Sequence, residues 1–328
     1  MSNILITGGE GVLGSSLANF FLKSNNEVTL IDFVRKEECT RLKSFGILDQ
    51  VDYIWKSSLD ISVQDIEKID MIFDCAIGFP DRPFGTDSPR SGIYGNLSPA
   101  IGLLEAVRHA SNKPTLVYPS SFNALYGYSG TYNELTPTNP TSIYGWTKAA
   151  VETLYLTYHR SFGIPIIITR VGSSYGEMMR TDELVARLIM KGLRSEKFLL
   201  RSPKSKRLWT YIGDVIGAYG ALVKQSDYGK SEQFLNELKE FNLCLNIAGN
   251  LGDKVVNNEE LSSIIGEITG FRDNILSSDK YEPGELLNGN PISFGFDAER
   301  TRKILKWKPT YSLNEGISKT TEWFRNNI

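Results

Sequence analysis

"NILITGGEGVLGSSLANFFLKSNNEVTLID", residues 3–32, decides the fold. Its opening apolar run, 3–7, fits a buried parallel strand. A glycine-rich turn follows, then "SSLANFFLKSNN" with apolar residues at helical spacing, then a second strand ending in an acid. Gly8, Gly11 and Gly14 form G-x-x-G-x-x-G between strand and helix, with Val12 and Leu13 in the same turn. Glycines allow a tight turn and bring backbone N–H groups close to a pyrophosphate at the helix N-terminus. The spacing alone also fits an ordinary strand-to-helix turn. Asp32 tips the reading, because an acid at that strand end can bind a ribose 2′-hydroxyl. It would repel a 2′-phosphate, so NAD is expected over NADP, with Arg35 and Lys36 close enough to temper the preference.

Working outward, strands are expected at 51–60, 69–76 and 114–121, the last reached through a helical stretch, "NLSPAIGLLEAVRHA". A long helix over about 143–161 leads to a sixth strand, "IPIIITR". Strands alternating with helices give a doubly wound parallel sheet with helices on both faces. After Arg170 the rhythm changes. Residues 172–207 read as loop with one helical piece and a basic cluster, 208–223 as strand plus helix, and 242–249 as another strand. The remainder reads as a small α+β region ending in a helix near 312–326. The division expected is a dinucleotide-binding domain over 1–172, completed by roughly 208–248, and a smaller substrate-binding domain from 173–207 and 249–328.

Composition excludes several classes. The chain has 328 residues, 41% hydrophobic and 23% charged, with a net charge of −2. That is ordinary for a globular protein and marks neither a nucleic-acid binder nor a membrane-surface protein. Cys39, Cys75 and Cys244 are far apart and odd in number, giving neither metal-ligand spacing nor a disulfide framework. No metal site is expected. A cytoplasmic location is expected from the reducing environment that these cysteines suit, and from a start without signal-type character. His109 and His159 lack partners at ligand spacing.

"IYGWTKAA", 143–150, places Tyr144 and Lys148 one helical turn apart. A free tyrosine titrates near 10, so ~0.1% is ionised at pH 7. Lowering it by about 3 pH units needs roughly 4 kcal/mol of differential stabilisation of the phenolate. Lys148 and a cationic nicotinamide ring would share that task, leaving Tyr144 as general base toward a hydroxyl. About one Y-x-x-x-K is expected by chance in a chain with 15 tyrosines. Its position after the fifth strand is what favours chemistry.

"TGGEGVLG", "SLDI", "SSFNALYG", "YGWTK" and "ILKWKPTYSLNEGI" fall in the order found in extended short-chain dehydrogenase/reductases. The chain resembles the NAD-dependent epimerase/dehydratase family that acts on nucleotide sugars. The resemblance covers nearly the whole chain and is strongest in the first 170 residues. It implies a Rossmann sheet of about seven strands with a smaller C-terminal substrate region, bound NAD, and a nucleotide-diphosphate sugar substrate. It also implies a homodimer formed by the helices near 96–110 and 143–161 as a four-helix bundle. Asp60, Ile61, Ala76 and Asn96 join Tyr144 and Lys148 among the implied cofactor contacts. Lys148 would hydrogen-bond the nicotinamide ribose.

The family's strand-end Ser or Thr would fall on Phe122, whose ring cannot hydrogen-bond a hydroxyl. Counting from the strand instead gives Ser121 as the catalytic hydroxyl, with Ser120 supporting. The plainer alternative is that both hydroxyls finish strand backbone groups. Family 4,6-dehydratases follow this hydroxyl with Asp and Glu. Here Phe122, Asn123 and Ala124 follow, and none transfers a proton at neutral pH; Glu134 and Glu177 read as surface residues. A 4-epimerase needs no such pair. A 4-dehydrogenase, decarboxylase or reductase stays open, as does a non-catalytic NAD-binding protein.

At the substrate end, Ser173 replaces the family asparagine. Arg207 in "RLWTYIGD" matches a diphosphate-clamping arginine, and equally fits a solvated member of the basic loop. Glu282 stands where a second family arginine is common. Arg82 or Arg90, in the long loop over 78–92, could reach the substrate.

Overall fold

In a computed structural model, which describes residues 2–78, 88–227, 229–282 and 285–327, the expected alternation is realised. The first half runs β1 (Asn3–Thr7), α1 (Val12–Lys23), β2 (Glu27–Asp32), β3 (Asp52–Trp55), β4 (Met71–Asp74), α2 (Pro89–His109), β5 (Thr115–Ser121), β6 (Gly130–Tyr132), α3 (Ile143–Phe162) and β7 (Ile166–Val171). After it come β8 (Ser173–Tyr175), α4 (Leu184–Leu193), β9 (Phe198–Leu200), β10 (Lys206–Tyr211), α5 (Ile212–Gln225), β11 (Cys244–Ile247), β12 (Val255–Asn257), α6 (Asn258–Thr269) and α7 (Leu313–Asn327).

Seven strands form one parallel sheet in the order β11-β7-β5-β4-β1-β2-β3. The order reverses between β1 and β4, and the crevice at their carboxyl ends is where open α/β sheets bind ligands. Ile4, Leu5, Ile6, Ile72, Phe73, Leu116, Val117 and Ile166–Ile168 are all fully buried. Covering both faces is why these strands read as continuous apolar runs. Helix α3 begins where the Ser142 hydroxyl accepts from the Gly145 N–H at 3.0 Å and ends at Gly163, whose φ of 66° suits glycine.

A second core gathers α4, α6 and α7 on a small sheet of β12, β10 and β8, with Val185, Leu188, Ile189, Val256, Leu261, Ile265 and Ile317 inside. A third is aromatic, with Phe122, Tyr132, Phe294 and Phe296 under Tyr126. The stretch 172–207 read as loop holds β8 and β9 beside its helix. Three-residue strands are too short to display an alternating period. Glu134, read as a surface residue, is buried, and its carboxylate accepts from the Thr301 hydroxyl at 2.9 Å. Among the described residues no helix is long and apolar enough to cross a membrane.

Beneath the sheet's end, Arg170 and Glu152 form a buried ion pair at 2.9 Å. Arg170 also donates to the Thr136 carbonyl, and Glu152 accepts from Ser120. Removing one partner of such a pair strands the other charge. Glu152→Ala should therefore cost about 3–5 kcal/mol, read as a lower urea midpoint at unchanged slope. A loss below about 1 kcal/mol, the range of a surface pair, would show that solvent reaches Arg170.

Candidate active site

The glycine turn closes backbone against backbone. Gly8 has φ 66°, and a Cβ there would lie 2.7 Å from the Cys75 carbonyl oxygen. A Cβ on Gly14 would lie 2.2 Å from the Gly8 oxygen. Only glycine permits this approach, and it aims the first turn of α1, with Val12 and Leu13, into the β1–β4 crevice. No side chain caps that turn. Ala76 lines the other wall, where its N–H donates to the Thr7 hydroxyl at 3.2 Å. A Cβ on Gly11 would meet, among the described residues, only the Gly8 oxygen, at 3.1 Å. The cradle fits a dinucleotide pyrophosphate.

Asp32 stands at the β2 end, 5% exposed. Its carboxylate accepts from the N–H groups of Glu10 and Val34, both at 2.9 Å. Burial raises its pKa, against the lowering by those amides. Arg35 stacks on Trp55 at 5.0 Å, and Lys36 pairs with Asp49 at 3.4 Å. Both cations that tempered the NAD reading therefore have partners of their own.

At the β5 end, the Ser121 hydroxyl is hydrogen-bonded with Tyr144. It also accepts from the Asn123 N–H at 3.2 Å and the Asn123 side-chain amide at 3.1 Å. Lys148 is 4% exposed and donates to the Pro119 carbonyl at 2.7 Å. Its Nζ lies 6.0 Å from the Tyr144 ring centre and 4.8 Å from that of Tyr118. Burial pushes Tyr144 up to about 12; the Ser121 hydrogen bond works against this, and the Glu183 charge adds to it. Burial pulls Lys148 down to about 8, with Asp74 the largest influence holding it up.

Ser121, Tyr144 and Lys148 are thus brought together; Ser120 is not with them. Its side chain instead donates to Glu152 at 2.5 Å, about two turns further along α3. Phe122 turns into the aromatic core. Asn96 is buried in α2 and donates to its own helix at 2.7 Å. Ile61 is buried and Asp60 exposed, on a short turn ending at 60. Ser173 is buried, and its hydroxyl has no hydrogen-bond partner among the described residues. Arg207 is not solvated: it is buried and ion-paired with Glu285, with Asn258 at 3.3 Å. Glu282 faces Arg201 at 3.7 Å. Arg82 lies outside the described residues, and Arg90 is exposed over Tyr94 at 5.8 Å. Neither histidine joins the site: His109 is exposed, and His159 Nδ1 lies 2.7 Å from the Ile164 carbonyl.

Two acids that bear on the glycine turn and on Tyr144 went unread in the sequence. Glu10 sits inside the glycine turn and is buried; an acid among those glycines was the signal. Glu183 precedes α4 and acts on Tyr144 through its charge; nothing local marks it.

The sequence model of the NAD-dependent epimerase/dehydratase family matches residues 4–238. The chain belongs to that family. An uncharacterised UDP-glucose epimerase of Bacillus subtilis is 28% identical over 96% of this chain and 95% of its own length. A dTDP-D-glucose 4,6-dehydratase of Dictyostelium discoideum is 24% identical over 100% of this chain and 82% of its own. Among solved structures, the UDP-glucuronic acid 4-epimerase of Bacillus cereus, in complex with UDP-glucuronic acid and NAD, superposes with a TM-score of 0.83. It is 23% identical and covers 99% of this chain and 100% of that one. This family member is an NAD-dependent enzyme of the extended short-chain dehydrogenase type, with the Rossmann-like sheet described above.

With a buried carboxylate at the β2 end, the enzyme should bind NAD(H) at least about tenfold more tightly than NADP(H), a gap of about 1.4 kcal/mol. Calorimetric titration with both cofactors measures this. Equal affinities would remove Asp32 from its role.

Proposed function

We propose that this enzyme is a nucleotide-sugar epimerase acting at C4 through a transient 4-keto sugar. The observation that carries the reading is the Ser121–Tyr144–Lys148 cluster with no proton-transferring side chain in the next three positions. Phe122 and Ala124 lie in the core, and Asn123 is bonded to Ser121. Tyr144 takes the proton of the sugar hydroxyl, and Ser121 orients that oxygen. Lys148 holds positive charge beside the phenolate that forms. From about 12, bringing Tyr144 to neutral pH takes about 7 kcal/mol of extra phenolate stabilisation. Nicotinamide, when bound, supplies hydride transfer and a further positive charge. Ser173, a buried hydroxyl without a partner, is a donor suited to the sugar. Arg207 is assigned to the diphosphate, for which Glu285 must give way.

Net oxidation, reduction or elimination is the second reading, since the dehydratase of Dictyostelium discoideum is also similar. Among the described residues, Glu183, an acid whose charge reaches Tyr144 and which the crowding protein lifts to about 7, could serve elimination. Glu183 is exposed, so solvent screens part of that rise. We assign the cofactor end to 1–172 with 208–248 and the substrate end to 173–207 with 249–328. A cytoplasmic setting agrees with three free cysteines.

Screening UDP-, GDP-, CDP- and dTDP-sugars by mass spectrometry and NMR for mass-neutral inversion tests the reaction. With the substrate in hand, Tyr144→Phe should lower turnover at least ~100-fold while sparing fold and NAD binding. Lys148→Ala should lower both turnover and NAD affinity. Ser121→Ala should cost more turnover than Ser120→Ala. Near-normal turnover in Tyr144→Phe would end the proposed mechanism.

The proposed assembly is a two-fold homodimer through α2 and α3, which lie side by side and expose Tyr94, Ile101 and Phe162. Light scattering at micromolar concentration should give twice the 36.7 kDa chain mass; a monomer mass would refute it.

A further inference from the structure

Glu10 does more than occupy the glycine turn. Its N–H donates to Asp32 at 2.9 Å, so positions 10 and 32 bound the same subsite. Its carboxylate reaches over the segment that follows β2. One oxygen accepts from the Thr40 N–H at 2.7 Å, the Thr40 hydroxyl at 3.1 Å and the Arg41 N–H at 2.7 Å. The other accepts from the Leu42 N–H at 3.3 Å. Arg41 returns the link: its guanidinium donates to the Glu10 carbonyl at 3.3 Å and to the Met178 carbonyl at 3.2 Å. A buried acid thus ties the phosphate turn to the loop that walls the Asp32 subsite. It also adds a second negative charge there.

We propose that Glu10 is a cofactor-specificity residue, rejecting a 2′-phosphate together with Asp32 and bracing the loop that holds Asp32 in place. A phosphate at the 2′ position would enter beside two buried carboxylates, and like charges at low exposure are poorly screened. The nearby cations keep their charge but are held in place by neutral groups. Arg41 is spent on carbonyls, Lys43 on the Glu37 carbonyl, and Arg35 on the Trp55 ring. Removing the Asp32 charge alone therefore leaves one barrier standing. The inference concerns the cofactor end and holds whichever sugar the enzyme takes.

The test uses purified protein freed of co-purified nucleotide, titrated calorimetrically with NAD⁺ and NADP⁺, with thermal melts as the control for folding. Glu10→Gln keeps an accepting oxygen and removes the charge. It should hold NAD⁺ affinity within about threefold while shrinking the NAD⁺ preference about tenfold. Glu10→Ala also loses the brace, so NAD⁺ affinity should fall about tenfold as well. Asp32→Asn combined with Glu10→Gln should relax the preference well beyond Asp32→Asn alone. Folded Glu10→Gln with the wild-type preference overturns the proposal. So does a double variant that binds NADP⁺ no better than Asp32→Asn. Should Glu10→Ala fail to fold, Glu10→Gln and the double variant still decide.

Discussion

Helix α3 lays a polar stripe, not an apolar one, on the carboxyl ends of the sheet. Tyr144, Lys148, Glu152 and Tyr155 follow one another along the face turned inward. Lys148, Glu152 and Tyr155 are almost completely buried. A buried polar group without a partner costs about 1–3 kcal/mol, and a charge more. The strands supply what the stripe needs. Lys148 meets the Pro119 carbonyl, Glu152 meets Ser120 and Arg170, and Tyr155 donates to Asp74 at 2.6 Å. These bonds fix the rotation of α3 over β4, β5 and β7. They set where the Tyr144 hydroxyl lies before any ligand contributes.

That constraint separates what was legible from what was not. The strands announced themselves, because two-sided burial forces continuous apolar runs. The glycine turn did too, since Gly8 and Gly14 occupy places where a Cβ would collide with backbone. The stripe was half legible: Tyr144 and Lys148 stood out through known chemistry. Glu152 looked like any helical acid until Arg170, on β7, met it. Partners contributed by distant strands leave no local trace. Ser120 and Ser121 show the limit most plainly. Adjacent and chemically alike, they meet different turns of α3, one bonding to Glu152 of the Arg170–Glu152 pair and one to Tyr144.

The proposed substrate end shows the same limit in charge. Sequence placed Arg207 in a basic loop and Glu282 in an awkward acidic position. Folding buries Arg207 against Glu285, an acid that drew no notice, while Glu282 finds Arg201. Among the described residues the second oxygen of Glu285 is buried and unbonded, so the pair is incompletely satisfied there. Isolated buried pairs gain little once desolvation is counted. An arginine held this way is pre-aimed, and its pairing acid is under-bonded. Exchanging that acid for a doubly charged diphosphate would improve the arginine's contacts, because bidentate anions match its fork.

The two ends of the cleft then follow one logic. At the cofactor end, acids are fully bonded by backbone amides: Asp32 by two, Glu10 by three. Their charge is locked in place, which suits rejecting an anion. At the proposed substrate end, Glu285 is left short of partners among the described residues beside Arg207, which suits admitting one. A fixed, amide-bonded carboxylate repels without rearranging, whereas an under-bonded ion pair can open. The difference lies in hydrogen bonding, not in residue type, since both ends use glutamate. Composition could never have distinguished them. What separates Glu10 from Glu285 is the backbone of Thr40, Arg41 and Leu42, whose N–H groups bond one carboxylate and have no counterpart at the other among the described residues.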